Sequence, residues 1–471
     1  MIEMLFMARY FRSTILFFLF LTLLFPLAGA QTIVDVGETT PPQNMILLIF
    51  DGLGSSYINP DNPPLALNGA IIRSANTPKL QNMISEGLLI PNVKVPTPKT
   101  GPAHSVIITG YSGAEQEMVE YPGATIYDIL GEEGFLSIAL MHKGDFSNFR
   151  SEQDIVLFSE SNSIPEPILK IQINNDLAPA DLINELENWE QKLPDYLEGT
   201  EGLDSYIAYE AWELDASQHI VSFMARLHPD IRYIFTINVG VLDSAGHYRG
   251  VDGYLGSIEG FDSSLGLLYA AARSSNTAFV ITADHGMAFK SADSPRGGHA
   301  SADYFSNEAM TVPLIICSPN VEPGELDQEF GQEVVTPTLL SIMDIPNGLK
   351  YNDGEAIPVK DYANLWITSN TRTDVEILQG SEIISSGAGD NSYIFAGLKP
   401  KINYIVKVSN GDETLEQAVD LEVDRLVRFD TAVSVADDKG WDIGSWRKRI
   451  ASVMIFLVII AGVLVIIRIK D

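Results

Sequence analysis

Several stretches of this 471-residue chain bring aspartate and histidine together in ways that suit a divalent metal ion. The apolar run Ala278-Phe279-Val280-Ile281-Thr282-Ala283 ends directly in Asp284-His285-Gly286. A second run, Met45 to Phe50, stops at Asp51-Gly52. Asp243 and His247 stand four residues apart and share a face if that segment is helical. Gly297-Gly298-His299 offers an imidazole on a loop. Each has an ordinary alternative taken singly: a turn-forming aspartate at 51, a solvated helix surface at 243 and 247, a surface histidine at 299. As a set they are more specific, because three aspartates and three of the seven histidines fall at or just beyond expected strand ends. His219 and His228 lie on or beside an amphipathic stretch and read as structural. His104 and His142 are ambiguous, near the site without an assigned ligand role.

Carboxylates mixed with imidazoles suit zinc, with manganese and related ions as the alternative. Two ions about 3.5–4 Å apart can clamp the attacking and leaving oxygens of an in-line displacement. Six such ligands and one side-chain oxygen would fill two adjacent sites. A threonine hydroxyl is a weak nucleophile until a cation makes its proton easier to lose. Thr100, in the rigid loop Pro96 to Pro102, is where such an oxygen would be held, and a role as helix cap is compatible with it.

These residues converge only if a sheet delivers them to one edge. Met45–Phe50, Tyr233–Val239 and Ala278–Ala283 are continuous apolar or β-branched runs, as expected for strands covered on both faces. Helical spacing separates them: Tyr254, Ile258, Phe261, Leu265 and Leu268 repeat at helix period. Thr77-Pro78 and Thr336-Pro337 look like helix starts. Strand, helix, strand is the rhythm of an α/β fold with a mostly parallel central sheet and helices on both faces, and such sheets form sites at their carboxyl edge. The expected organisation is a linker over 31–44 and a main α/β domain over 45–368, within which 113–230 forms a cap or specificity region. Short alternating runs follow over 369–436, a small β-sandwich-like stalk.

The formal charge of −32 argues against a nucleic-acid partner, since a phosphate backbone is bound by Lys and Arg. An anionic ester would have to be drawn in by local positive charge, for which metal ions are the obvious source. The single cysteine, Cys317, excludes an intrachain disulfide and reads as a core residue. Residues 1–30 have the layout of a signal peptide with a cut after Ala30, an uncleaved anchor being the alternative. Residues 450–467 are apolar and just long enough to span a bilayer. The expected location is the cell membrane, with a single pass and the body on the extracytoplasmic side.

The ordered set Ile49-Phe50-Asp51-Gly52, Pro96-Thr97-Pro98-Lys99-Thr100-Gly101-Pro102, Asp243 with Gly246-His247, Thr282-Ala283-Asp284-His285-Gly286 and Gly298-His299 resembles the alkaline phosphatase superfamily. Within it, the set is most similar to the nucleotide pyrophosphatase/phosphodiesterase branch. The resemblance covers about residues 45 to 350. It implies an alkaline phosphatase-like fold and two metal ions, one held by Asp243, His247 and His299, the other by Asp51, Asp284, His285 and the Thr100 oxygen. It further implies that Thr100 attacks phosphorus and forms a phosphothreonine that water releases, the substrate being a small-molecule or headgroup phosphate ester. The diesterase branch touches a non-bridging oxygen with a side-chain amide; Ala103 cannot, which leaves His104 or Lys143 as candidate substrate-binding residues. The loop lacks the modifiable residue and arginine of formylglycine sulfatases. A phosphoryl or headgroup transferase or mutase on the same site, and a non-catalytic acidic envelope protein, are the competing expectations.

Overall fold

The computed structural model describes residues 31–142, 147–161, 163–164, 166–411 and 413–429. The signal segment, Lys143, the end of the stalk and the 450–467 run lie outside the described residues. Among the described residues no helix is long and apolar enough to cross a membrane.

The main sheet is built from β2 (Asn44–Phe50), β3 (Leu88–Lys94), β4 (Leu136–Met141), β5 (Ile155–Ser159), β6 (Leu169–Ile173), β7 (Tyr233–Val239), β8 (Thr277–Ala283) and β9 (Thr311–Cys317), preceded in the chain by β1 (Thr32–Asp35). Their spatial order is β3-β9-β8-β2-β7-β4-β5-β6. The centre, β8-β2-β7-β4-β5, is parallel, while β9 and β6 run antiparallel to their neighbours. Every residue of β2, β4, β7 and β8 is buried, so the apolar runs mark strands with both faces covered.

Two contacts identify what covers each face. The helices used below are α1 (Thr100–Thr109), α2 (Ile126–Glu132), α3 (Leu203–Leu227), α4 (Val241–Ser274) and α5 (Val335–Ile342). Phe50 of β2 stacks on Phe261 of α4 with ring centroids 4.3 Å apart. Leu47, three residues earlier and so on the opposite face, is in register with Thr236 of β7, whose hydroxyl lies 2.8 Å from the hydroxyl of Tyr127 on α2. Helices therefore pack on both faces. Helix α4 breaks at Gly250 (φ 68°), which separates its first two turns from the long remainder that lies on the sheet.

The β module has its own core, including Leu365, Ile367, Val375, Tyr393, Phe395, Tyr404 and Val406. Its strands are β10 (Ala363–Gln379), β11 (Glu382–Leu398), β12 (Ile402–Asn410), β13 (Glu413–Leu421) and β14 (Arg425–Phe429). Two details differ from the expectation. The first strand begins at Ala363, before position 369, and β1, read as linker, pairs in parallel with β11 at its edge. Period-two alternation is weak in a four-residue edge strand, so the sequence did not reveal it. Lys360 bridges Asp344 and Asp424 at 2.5 and 2.9 Å, with its side chain 3% exposed.

Candidate metal centre and nucleophile

Parallel pairing sets Phe50 opposite Ala283 and also opposite Val239. The next residues in β2 and β8, Asp51 and Asp284, therefore leave the sheet side by side, both fully buried. The chain after β7 turns at once into α4, so Asp243 and His247 lie on its first two turns and share a face, with 3.2 Å between Asp243 Oδ1 and His247 Nε2. His299 follows the two-residue strand Gly297–Gly298. Thr100 is the first residue of α1, which has no side-chain cap.

All seven residues meet. Thr100 Oγ1 is 3.4 Å from Nε2 of His285. That nitrogen is 3.4 Å from Asp51 Oδ1 and 3.3 Å from Asp284 Oδ2. His299 Nε2 lies 3.3 Å from Asp243 Oδ1 and 3.1 Å from His247 Nε2. The His285 and His299 rings stack with centroids 3.6 Å apart. Two groups have ligand atoms all within 4.8 Å of one another: Asp51, Asp284 and His285, and Asp243, His285 and His299. The structure thus puts His285 between the two halves of the cluster, where the resemblance assigned it to one.

The donor chemistry fits divalent cations. The Nδ1 atoms of His285, His299 and His247 face the backbone carbonyls of Gly286, Pro98 and Gly297 at 3.0, 2.7 and 3.2 Å. A carbonyl only accepts, so each Nδ1 is the donor and each Nε2 is left to present its lone pair to the cluster, the arrangement expected of metal-ligating imidazoles. Nε2 lone pairs pointed at each other and at carboxylate oxygens repel unless positive charge stands among them. Three aspartates in so confined a space call for the same compensation. Burial pushes the His285 pKa down to about 4, which keeps its Nε2 unprotonated. Burial also works against a charged His299, but the Asp243 carboxylate outweighs it and raises the pKa, so the cluster draws positive charge to this point. Asp284 is held below its ordinary range: burial opposes this, and His285, His104 and the Gly52 amide outweigh it.

The substrate-binding expectations fare differently. His104 is wholly buried. Its Nδ1–H donates to the Thr100 carbonyl at 2.8 Å, and its Nε2 lies 3.1 Å from Asn238 Oδ1. In this arrangement His104 steadies the start of α1. Lys143 lies outside the described residues. His142 sits on Glu213 at 3.0 Å, away from the cluster. His219 and His228 pair with Glu185 and Asp181, in keeping with their structural reading.

Two contributors escaped the sequence reading. The side-chain amide of Gln116 packs on the first turn of α1, so close that a Cβ at Gly101 would overlap it. Tyr254 donates to the Gly52 carbonyl at 2.6 Å and accepts from the Gly54 amide, which fixes the turn after Asp51. No local pattern announces either one; each acts across the chain.

Residues 195–346 match the family model of the Metalloenzyme superfamily. Over 112 residues the chain is 30% identical to a 2,3-bisphosphoglycerate-independent phosphoglycerate mutase of Anaplasma marginale (strain St. Maries), covering 24% of this chain and 21% of that one. Over 115 residues it is 28% identical to the protein of the same description from Rhodopseudomonas palustris (strain ATCC BAA-98 / CGA009), covering 24% and 21%. The chain thus covers about a fifth of the length of these curated relatives. Among solved structures, wild-type alkaline phosphatase PafA aligns at a TM-score of 0.48 and 12% identity over 69% of this chain and 100% of that one. The lipoteichoic acid synthase LtaP from Listeria monocytogenes aligns at 0.46 and 12% over 69% and 78%. Likenesses this distant do not bear on the reaction. The match to the Metalloenzyme superfamily model spans the stretch from Asp243 to His299, and the register of β2 and β8 brings Asp51 and Asp284 to it.

Proposed function

We propose that this protein is a metal-dependent phosphoester hydrolase, of phosphodiesterase or phosphomonoesterase type, in which Thr100 carries the phosphoryl group between two displacements. The observation that carries this reading is the position of Thr100 Oγ1, 3.4 Å from His285 Nε2 at the start of an uncapped helix. In the first displacement the Thr100 oxygen gives up its proton and attacks phosphorus. The bond from phosphorus to the leaving oxygen breaks, and that oxygen departs with a proton. In the second, a water oxygen attacks the phosphothreonine, the bond to Oγ1 breaks, and Thr100 is protonated again. The N-terminus of α1 favours the anionic group, and the Gln116 amide beside it adds a donor. Asp51, Asp284, His285 and Thr100 would hold one divalent ion and Asp243, His247 and His299 the other, zinc first and manganese as the alternative, supplying charge that lowers the hydroxyl pKa and neutralises the phosphoryl oxygens.

The signal-like segment and the 450–467 run support an anchored protein with its body on the extracytoplasmic side. The net charge of −32 supports a small-molecule or headgroup ester over a nucleic acid. The test is hydrolysis of aryl phosphate mono- and diesters by the purified chain with zinc or manganese. Thr100→Ala is expected to fall to background while still taking up metal, and full activity in that variant refutes the covalent route. A transferase or mutase is the second reading, favoured by the mutase descriptions of the matched relatives. There an acceptor hydroxyl takes the place of water, and product analysis with an added acceptor separates the two.

A further inference from the structure

We propose that Gln332 is a positioning residue for the metal cluster. By donating to the backbone carbonyls of Ala283 and Asp284, it sets the turn that carries Asp284 and His285 and ties it to the helix bracing α1. The inference rests on the metal reading of the cluster and assigns the residue that holds one half of it against the other.

Strand β8 ends at Ala283, so the carbonyls of Ala283 and Asp284 stand where the ladder gives out. On one side β2 ends at the same level, with Phe50 opposite Ala283. On the other, β9 pairs Ile315 with Ile281, and continuing that register by two residues sets Pro313 against Ala283. Proline has no N–H to give. Gln332 supplies the missing donors. It is fully buried, and its Nε2 lies 3.0 Å from the Ala283 carbonyl oxygen and 2.9 Å from that of Asp284. A primary amide has two N–H groups, one for each carbonyl.

The same segment also touches the nucleophile side. Gln332–Val334 is a short 3₁₀ turn that leads directly into α5. The hydroxyl of Thr336, in the first turn of α5, donates to the Ile107 carbonyl in α1. Residues 332 to 336 therefore grip the Asp284–His285 turn at one end and the Thr100 helix at the other. The separation of Thr100 Oγ1 from His285 Nε2 is set through this clamp.

The test compares zinc affinity, measured by chelator competition on the purified full-length chain, with thermal stability. Gln332→Met keeps the volume and removes both donors; Gln332→Glu keeps the length and turns acceptors toward two carbonyl oxygens. Both are expected to lose at least tenfold in zinc affinity. Thr338→Val is the control for a merely structural role. It removes another buried hydroxyl of the same segment, one that donates to Val334 and accepts from the Ile357 amide without touching a ligand-bearing residue. It is expected to lower the melting temperature and leave zinc affinity within twofold. Unchanged affinity in both Gln332 variants, or an equal loss in Thr338→Val, overturns the assignment while wild-type zinc uptake leaves the metal reading standing. A wild-type chain that takes up neither zinc nor manganese overturns the metal reading and this assignment with it.

Discussion

Helix α3 carries two fully buried glutamates, Glu210 and Glu213, three residues apart and so on one face. Glu210 Oε1 accepts from the Ser257 hydroxyl at 2.6 Å, and Glu213 Oε2 is 3.0 Å from His142 Nε2. Burial pushes the Glu210 pKa up to about 8 even though the Ser257 hydrogen bond pulls the other way. Burial, and then Glu210 itself, hold Glu213 well above its ordinary value. The sign of the effect follows from proton counting. Between pH 4.5 and about 8 the folded chain keeps the Glu210 proton that the unfolded chain has released, so stability falls as pH rises through that window. Below 4.5 both states are protonated and nothing is lost. Each pH unit inside the window removes about 1.4 kcal/mol. Between pH 7 and 9 only its last unit acts, so Glu210 contributes a drop on the order of 1 kcal/mol. Glu210→Gln keeps the shape and an acceptor for Ser257 but does not titrate. Urea unfolding at pH 7 and 9 is expected to show a smaller fall in the variant than in the wild type, by about 1 kcal/mol. Metal uptake also varies with pH, but it is common to both proteins and cancels in the difference. Equal falls would refute the argument that the folded state traps this proton.

Two further perturbations test the packing around the site and the module. A Cβ at Gly286 would overlap the Glu308 carbonyl oxygen and lie 2.8 Å from the Gly54 Cα, backbone atoms that cannot rotate away. Gly286→Ala is therefore expected to cost about 1–3 kcal/mol and to lower bound zinc by elemental analysis; full zinc content at wild-type stability would refute this. Lys360→Met removes the cation between Asp344 and Asp424 and is expected to cost about 3–5 kcal/mol in urea unfolding. Adding Asp424→Asn should recover part of the loss, and a single-variant loss within measurement error would refute the buried-pair reading.

Much of the candidate site is legible in the sequence because its candidate ligands sit where local patterns end. An apolar run followed by Asp51, or by Asp284-His285, identifies both a covered strand and the groups at its carboxyl edge. The four-residue spacing of Asp243 and His247 anticipates the shared face of α4. Thr100 stands out through its proline-bounded loop. These signals are local, since a residue and its near neighbours are enough to suggest an apolar strand, a helix period or a turn.

What only the tertiary structure decided involves partners far apart in the chain. That His104 is buried, that Gln116 lies over Gly101 and that Gln332 serves Ala283 and Asp284 all depend on which strands pair and in what register. The same holds for β1, which makes sense as a strand only beside β11, and for Glu210 and Glu213, which look like solvated helix charges until the packing of α3 on the body encloses them. A sequence records which side chains are able to ligate, donate or titrate. Whether they do so is set by the distance and burial that folding imposes on residues one or two hundred positions apart.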